Sequence, residues 1–136
     1  MVHARGQSGL RVRLGTGKGA ARAARHAVAG LRDALGAELL EDVRLLVTEL
    51  VTNGVRHGEP AQGNSLWLCV KLRGHAVRVE VTDGGAGFDP DEHRLGEGGW
   101  GLYLVGQIAD RWGVMRERGT LAWFEIDRGA GRPTGG

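Results

Sequence analysis

The chain has 136 residues, 41% hydrophobic and 25% charged, with 18 basic against 16 acidic side chains, which suits one domain large enough to bury a core. The near balance of charge, despite a pI of about 9.2, argues against a nucleic-acid partner, and the single cysteine, Cys69, excludes an internal disulfide or a cysteine-rich metal centre. No apolar run approaches membrane-spanning length and residues 1–9 lack the apolar core of a signal peptide, so a cytoplasmic protein without membrane contact is expected.

Residues 1–9 and 128–136 are rich in Gly, Arg and Pro and read as flexible ends around one domain at 10–127. Leu10 to Leu14 alternates apolar with basic residues, as a short edge strand would. Ala21, Ala24, Val28, Leu31 and Leu35 recur at helical spacing, which predicts a helix over 18–35 ended by Gly36. A second helix is predicted over 37–56, where Leu39, Val43, Leu46 and Leu50 form an apolar stripe. His57-Gly58-Glu59-Pro60 would stop it.

Two alternating strands follow, Leu66–Leu72 and Val77–Val81, turning at Arg73-Gly74-His75. The second runs into Asp83-Gly84-Gly85-Ala86-Gly87 and a polar loop to Gly98. A third helix is predicted from near Gly99 through Leu102, Val105, Ala109 and Trp112. A last hairpin, Val114–Arg118 and Leu121–Asp127, would turn at Gly119-Thr120. Mostly hairpin-linked strands imply an α+β, two-layer sandwich, its sheet mixed and mostly antiparallel, with helices on one face. Trp67, Trp112 and Trp123 fit packing on strands or at a helix end better than a nucleic-acid platform.

Three stretches carry chemistry. Glu49 and Asn53 are four apart on the second helix and share a face, with Arg56 three further on. A carboxylate and an amide at a helix–sheet seam suit Mg²⁺, which takes hard oxygen ligands and leans on substrate phosphates; the same residues also fit a solvated helix edge. Asp83 ends a strand before several glycines. Its carboxylate can accept a hydrogen bond from an exocyclic amine such as adenine N6, and the glycines let a flat ring approach the backbone; an ordinary Asp-Gly turn is the alternative. Gly99-Trp100-Gly101 opens a helix, whose first N–H groups can hold an anion. Random placement of 25 glycines would give roughly five Gly-x-Gly triplets, and the chain has six, so order and setting must supply the specificity.

Some readings fail on the residues. Gly17-Lys18 is not a P-loop, because Val12 and Gly19 stand where that motif needs Gly and Ser or Thr. His26 lacks the neighbours of a phosphoacceptor histidine, and the five histidines show no metal-ligand spacing.

Glu49-x-x-x-Asn53 on a helix, then Asp83-x-Gly85-x-Gly87 after a strand, then Gly99-x-Gly101-Leu102 opening a helix resembles the N, G1 and G2 boxes of the histidine-kinase-like ATPase superfamily of gyrases, ninety-kilodalton heat-shock chaperones, histidine kinases and mismatch-repair ATPases. Ala109 to Val114 and Gly119 to Phe124 resemble the actinobacterial members of its compact anti-sigma factor kinases, and the likeness covers about residues 10 to 127. The resemblance implies the Bergerat ATP-binding fold with ATP and Mg²⁺ as cofactors. Asn53 would hold the metal and Glu49 would be the general base. Asp83, Gly85 and Gly87 would bind adenine, and Gly99, Gly101 and Leu102 the phosphates; Arg56 and His57 would also line the nucleotide. It further implies a protein serine/threonine kinase that phosphorylates a small, sulfate-transporter-like anti-sigma antagonist, binds a sigma factor, and forms a homodimer through Leu10–Leu35 and part of the sheet surface. A non-catalytic ATP-dependent binding module and an isolated ATPase module of a two-component system are the alternatives. Gly54 departs from the alanine usual in that motif, and Trp100 is large for its place between two glycines.

Overall fold

The computed structural model describes residues 9–15, 17–57, 66–83, 102–116 and 120–128. In chain order these form β1 (Leu10–Leu14), α1 (Ala20–Ala29), α2 (Arg32–Leu35), α3 (Ala37–His57), β2 (Leu66–Leu72), β3 (Ala76–Asp83), α4 (Leu102–Ile108), β4 (Arg111–Arg116) and β5 (Thr120–Asp127). The strands make one sheet in the order β1-β2-β3-β5-β4, and every pairing is antiparallel. The α+β expectation therefore holds, with no parallel pair among the described strands.

The alternating pattern decides which face is covered. Val77, Val79 and Val81 of β3 stand opposite Leu72, Val70 and Leu68 of β2 and Ile126, Phe124 and Ala122 of β5. Except for the half-buried Leu72, all of these are buried, and they pack with Leu40, Val43, Leu46, Val47, Leu50 and Val51 of α3 and Ala20, Ala24 and Val28 of α1. The helices thus lie on one sheet face. Burying that much Val, Leu and Phe is the main stabilising term, at about 1.5–3 kcal/mol per large side chain.

The other face is polar and carries two half-buried tryptophans. The Arg11 guanidinium stacks 4.3 Å above the Trp67 ring, and Arg78 lies 4.2 Å above Trp123. Lys71, Glu80, Arg78, Glu125, Arg111 and Asp127 form a chain of ion pairs across four strands. Burial alone would raise the Glu80 pKa, but hydrogen bonds from Arg78 and Lys71 outweigh it and hold it low. Glu125 is held low by Arg111, and by Arg78 as well, against a smaller opposing effect of burial.

Several predicted boundaries move. The helix predicted over 18–35 breaks into α1 and α2: the Gly30 amide donates to the Ala27 carbonyl, the Leu31 amide donates to the Val28 carbonyl, and Leu31 leaves helical geometry. Gly36 ends α2 with φ +89°, a conformation glycine adopts without strain. The third helix stops at Ile108 rather than running through Trp112. Arg111 and Trp112 pair instead with Glu125 and Phe124, and the Asp110 amide donates to the Glu125 carbonyl. Apolar spacing in 102–112 looked helical, but a complete sheet ladder satisfies more backbone groups there. α3 reaches His57, one residue past the prediction, and passes through the buried Gly54 without a break.

Candidate functional site

α3 presents its polar pair through its own packing. Leu46, Val47, Leu50 and Val51 are buried, so the intervening Glu49 and Asn53 are held at the edge of the helix–sheet seam. Asn53 is only 8% exposed and Glu49 is half-buried, so Asn53 is not part of a solvated edge. Its Nδ2 donates to the Glu49 carbonyl at 2.7 Å. That bond fixes the amide on the helix and occupies its donor end, which leaves Oδ1 as the hard-oxygen end suited to a cation. Arg56 and His57 lie in the last turn of the same helix; their side chains are outside the described residues.

Asp83 is the last residue of β3, paired in register with Leu66 on one side and Thr120 on the other. Its side chain is outside the described residues, as are Gly85, Gly87, Gly99 and Gly101 altogether. Leu102 is the first residue of α4, and its side chain is likewise not described. α3 packs against both β3 and α4, so the elements that carry the three motifs meet around one helix.

The structure adds a residue that the sequence reading passed over as part of a turn. Thr120 is the first residue of β5, 1% exposed, and its hydroxyl finds no hydrogen-bond partner among the described residues. It shares the helix-facing side of β5 with Ala122, Phe124 and Ile126, directly across from Asp83. A buried hydroxyl without a partner costs about 1–3 kcal/mol, so one placed here fits a ligand that brings a polar group to this end of the sheet. The signal was available: Thr120 is in phase with the buried positions of the last strand.

This donor set fits a magnesium nucleotide better than a protein-only metal cage. Among the described residues no three acidic, histidine or cysteine side chains converge to hold a metal. Mg²⁺ needs only one or two protein oxygens when phosphates and waters supply the rest. The register places Asp83 and Thr120 opposite each other at the same end of the sheet.

Comparison with known proteins decides the family. The family model described as histidine kinase-like ATPase domain matches residues 16–125. The chain belongs to that family. Among its relatives, serine-protein kinase RsbW of Halalkalibacterium halodurans is 29% identical over 110 residues, covering 69% of this chain and 67% of the relative. The Staphylococcus epidermidis protein of the same name is 27% identical over 96 residues, covering 59% and 60%. Anti-sigma F factor of Clostridium acetobutylicum is 31% identical over 58 residues, covering 43% and 41%. The matches thus span about two thirds or less of these relatives' own length.

Proposed function

We propose that this histidine kinase-like ATPase domain is an anti-sigma factor that uses MgATP to phosphorylate a serine or threonine of a small anti-sigma antagonist in a partner-switching system. The observation that carries the reading is the buried amide of Asn53, fixed one turn from Glu49 on a helix that packs against the elements bearing Asp83 and Leu102. The names of the relatives, serine-protein kinase and anti-sigma F factor, support phosphoryl transfer to a protein serine and a sigma factor as a partner.

MgATP brings the phosphoryl group and the cation that neutralises its charge. Asn53 would hold the metal through Oδ1. Asp83 and Thr120 would orient the base, with Gly85 and Gly87 beside the ring. Gly99, Gly101 and Leu102 would offer backbone N–H groups to the phosphates, and Arg56 and His57 would lie close to them. Glu49 would take the proton of the attacking hydroxyl. A homodimer through β1, α1, α2 and part of the polar sheet face is the assembly we propose; the stacked Arg11–Trp67 and Arg78–Trp123 pairs on that face suit a contact surface. No helix among the described residues is long and apolar enough to cross a membrane.

The test pairs two variants. Glu49→Gln should keep MgATP affinity and lose transfer of labelled phosphate to a sulfate-transporter-like antagonist domain. Asn53→Ala should lose magnesium-dependent ATP affinity. Transfer by Glu49→Gln at the wild-type rate, or unchanged affinity in Asn53→Ala, would overturn the assignment.

A further inference from the structure

Among the described residues four large apolar side chains stand open to solvent: Tyr103 at 80% exposure, Met115 at 54%, Leu45 at 42% and Trp112 at 41%. Single exposed apolar residues are ordinary on a protein surface, but these are not scattered. Met115 stands opposite Leu121, on the polar face of the sheet. Trp112 stands opposite the buried Phe124, on the helix side. Leu45 and Tyr103 belong to α3 and α4, while α1 and α2 expose no large apolar side chain.

The three on the helix side follow the reacting groups. Leu45 is four residues before Glu49, so it shares that face of α3 one turn away. Tyr103 follows Leu102, the residue proposed above for the phosphates, at the start of α4. Trp112 lies against the same helix: a Cβ on Gly106 would stand 3.4 Å from its Nε1. Gly106 is three residues after Tyr103, so both rings flank one side of α4. α4 packs on α3, so Leu45, Tyr103 and Trp112 border Glu49 on the helix layer.

The transfer proposed above selects what covers them. In that step the acceptor oxygen bonds the γ-phosphorus, ADP leaves and the hydroxyl proton passes to Glu49. The proton can pass only with the hydroxyl about 2.6–3.2 Å from the carboxylate. Side chains one helical turn apart are themselves only about 5–6 Å apart. A protein that brings its hydroxyl to Glu49 therefore lays the surface around that hydroxyl over Leu45 and, across the α3–α4 contact, over Tyr103. Tyrosine and tryptophan suit such a contact, because each buries a large area and keeps a polar end for water or a partner.

We propose that Leu45, Tyr103 and Trp112 dock the protein that accepts the phosphoryl group, through an apolar patch on that protein next to its acceptor hydroxyl. This surface presupposes the phosphoryl transfer proposed above and adds to it the contact that selects the acceptor.

Transfer of labelled phosphate from MgATP to a sulfate-transporter-like antagonist domain, measured over a range of antagonist concentrations, separates docking from chemistry. Leu45→Gln/Tyr103→Gln should raise KM for the antagonist about tenfold and leave kcat within about twofold of wild type. Trp112→Gln should raise KM in the same direction. MgATP affinity should match wild type in both variants. The melting temperature of Leu45→Gln/Tyr103→Gln should also match, because both side chains are exposed. Transfer by wild type with unchanged KM in the variants, or with a fall in kcat alone, would overturn the docking surface and leave the transfer standing. Weakened MgATP binding in Leu45→Gln/Tyr103→Gln would overturn it too, by assigning the surface to the nucleotide. A wild-type dimer that the same variant splits into monomers in analytical ultracentrifugation would assign the surface to a second copy instead. Absence of transfer by wild type would overturn the transfer itself, and the docking surface with it.

Discussion

Thr120→Val separates stability from binding at a single atom. The substitution exchanges a hydroxyl for a methyl of similar shape, at a residue that is 1% exposed and whose oxygen has no partner among the described residues. Without nucleotide, the variant escapes the desolvation cost of an unpaired hydroxyl. Taking about 1 kcal/mol from the 1–3 kcal/mol range, its unfolding midpoint should rise by about 3–6 °C for a domain of this size. With nucleotide, the hydroxyl would gain its partner in wild type only, and losing one hydrogen bond should weaken MgATP about two- to tenfold. Linkage then makes the two melting curves converge. At a concentration of 100 times the wild-type Kd, wild type gains about 2.7 kcal/mol, whereas a variant binding tenfold more weakly gains only about 1.4 kcal/mol. Differential scanning calorimetry with and without MgATP, together with titration calorimetry, reads both effects. Thr120→Ser, which keeps the oxygen, should hold its affinity. A Thr120→Val protein that melts lower without nucleotide and binds MgATP as wild type does would show that the hydroxyl serves the fold and not the ligand.

Two further predictions concern the sheet. Gly9 has φ +93°, and a Cβ there would sit 1.8 Å from the Val70 carbonyl oxygen; Gly9→Ala should therefore cost more than about 1 kcal/mol in urea unfolding, and an unchanged midpoint would contradict that contact. Glu80 and Glu125 both titrate below the ordinary value of 4.5 in the folded protein. The unfolded chain then binds more protons than the native one near and below that value, so stability is full above it and falls as the pH drops further. Urea midpoints at successive pH values should show the decline, and Glu125→Gln should flatten it; a wild-type midpoint independent of pH from 6 to 3 would count against the ion-pair chain.

The parts of the fold that were legible in the sequence are those where one period dominates. Leu66, Leu68 and Val70 against Val77, Val79 and Val81 alternate so cleanly that a half-covered antiparallel pair is the natural outcome. The stripe on α3 likewise placed Glu49 and Asn53 on a shared face beside the core. Errors arose where a local feature competed with a longer-range one. Gly30 interrupts an alanine-rich run whose spacing otherwise continues to Leu35, and only the turn geometry reveals the break. Trp112 continues the apolar spacing of α4, but its backbone pairs with Phe124, a partner twelve residues away that periodicity cannot see. Thr120 was hidden for a related reason: next to Gly119 it has the chemistry of a turn, and only the register puts it across from Asp83.

That register also separates the nucleotide end of the sheet from the ion-pair chain. Thr120, Ala122, Phe124 and Ile126 face the helices, whereas Glu125 and Asp127 face the other way, toward Arg78 and Arg111. The same strand thus lends its first residue to the nucleotide end and its last ones to the ion-pair chain, on opposite faces and at opposite ends. A charge change at Asp127 is screened by solvent over the roughly 23 Å of strand between it and Thr120, well beyond a Debye length of about 8 Å at physiological salt. Any coupling between the nucleotide and that end of the chain of ion pairs would then have to pass through the packed strands themselves. Val77, Val79, Val81 and Phe124 of those strands are fully buried.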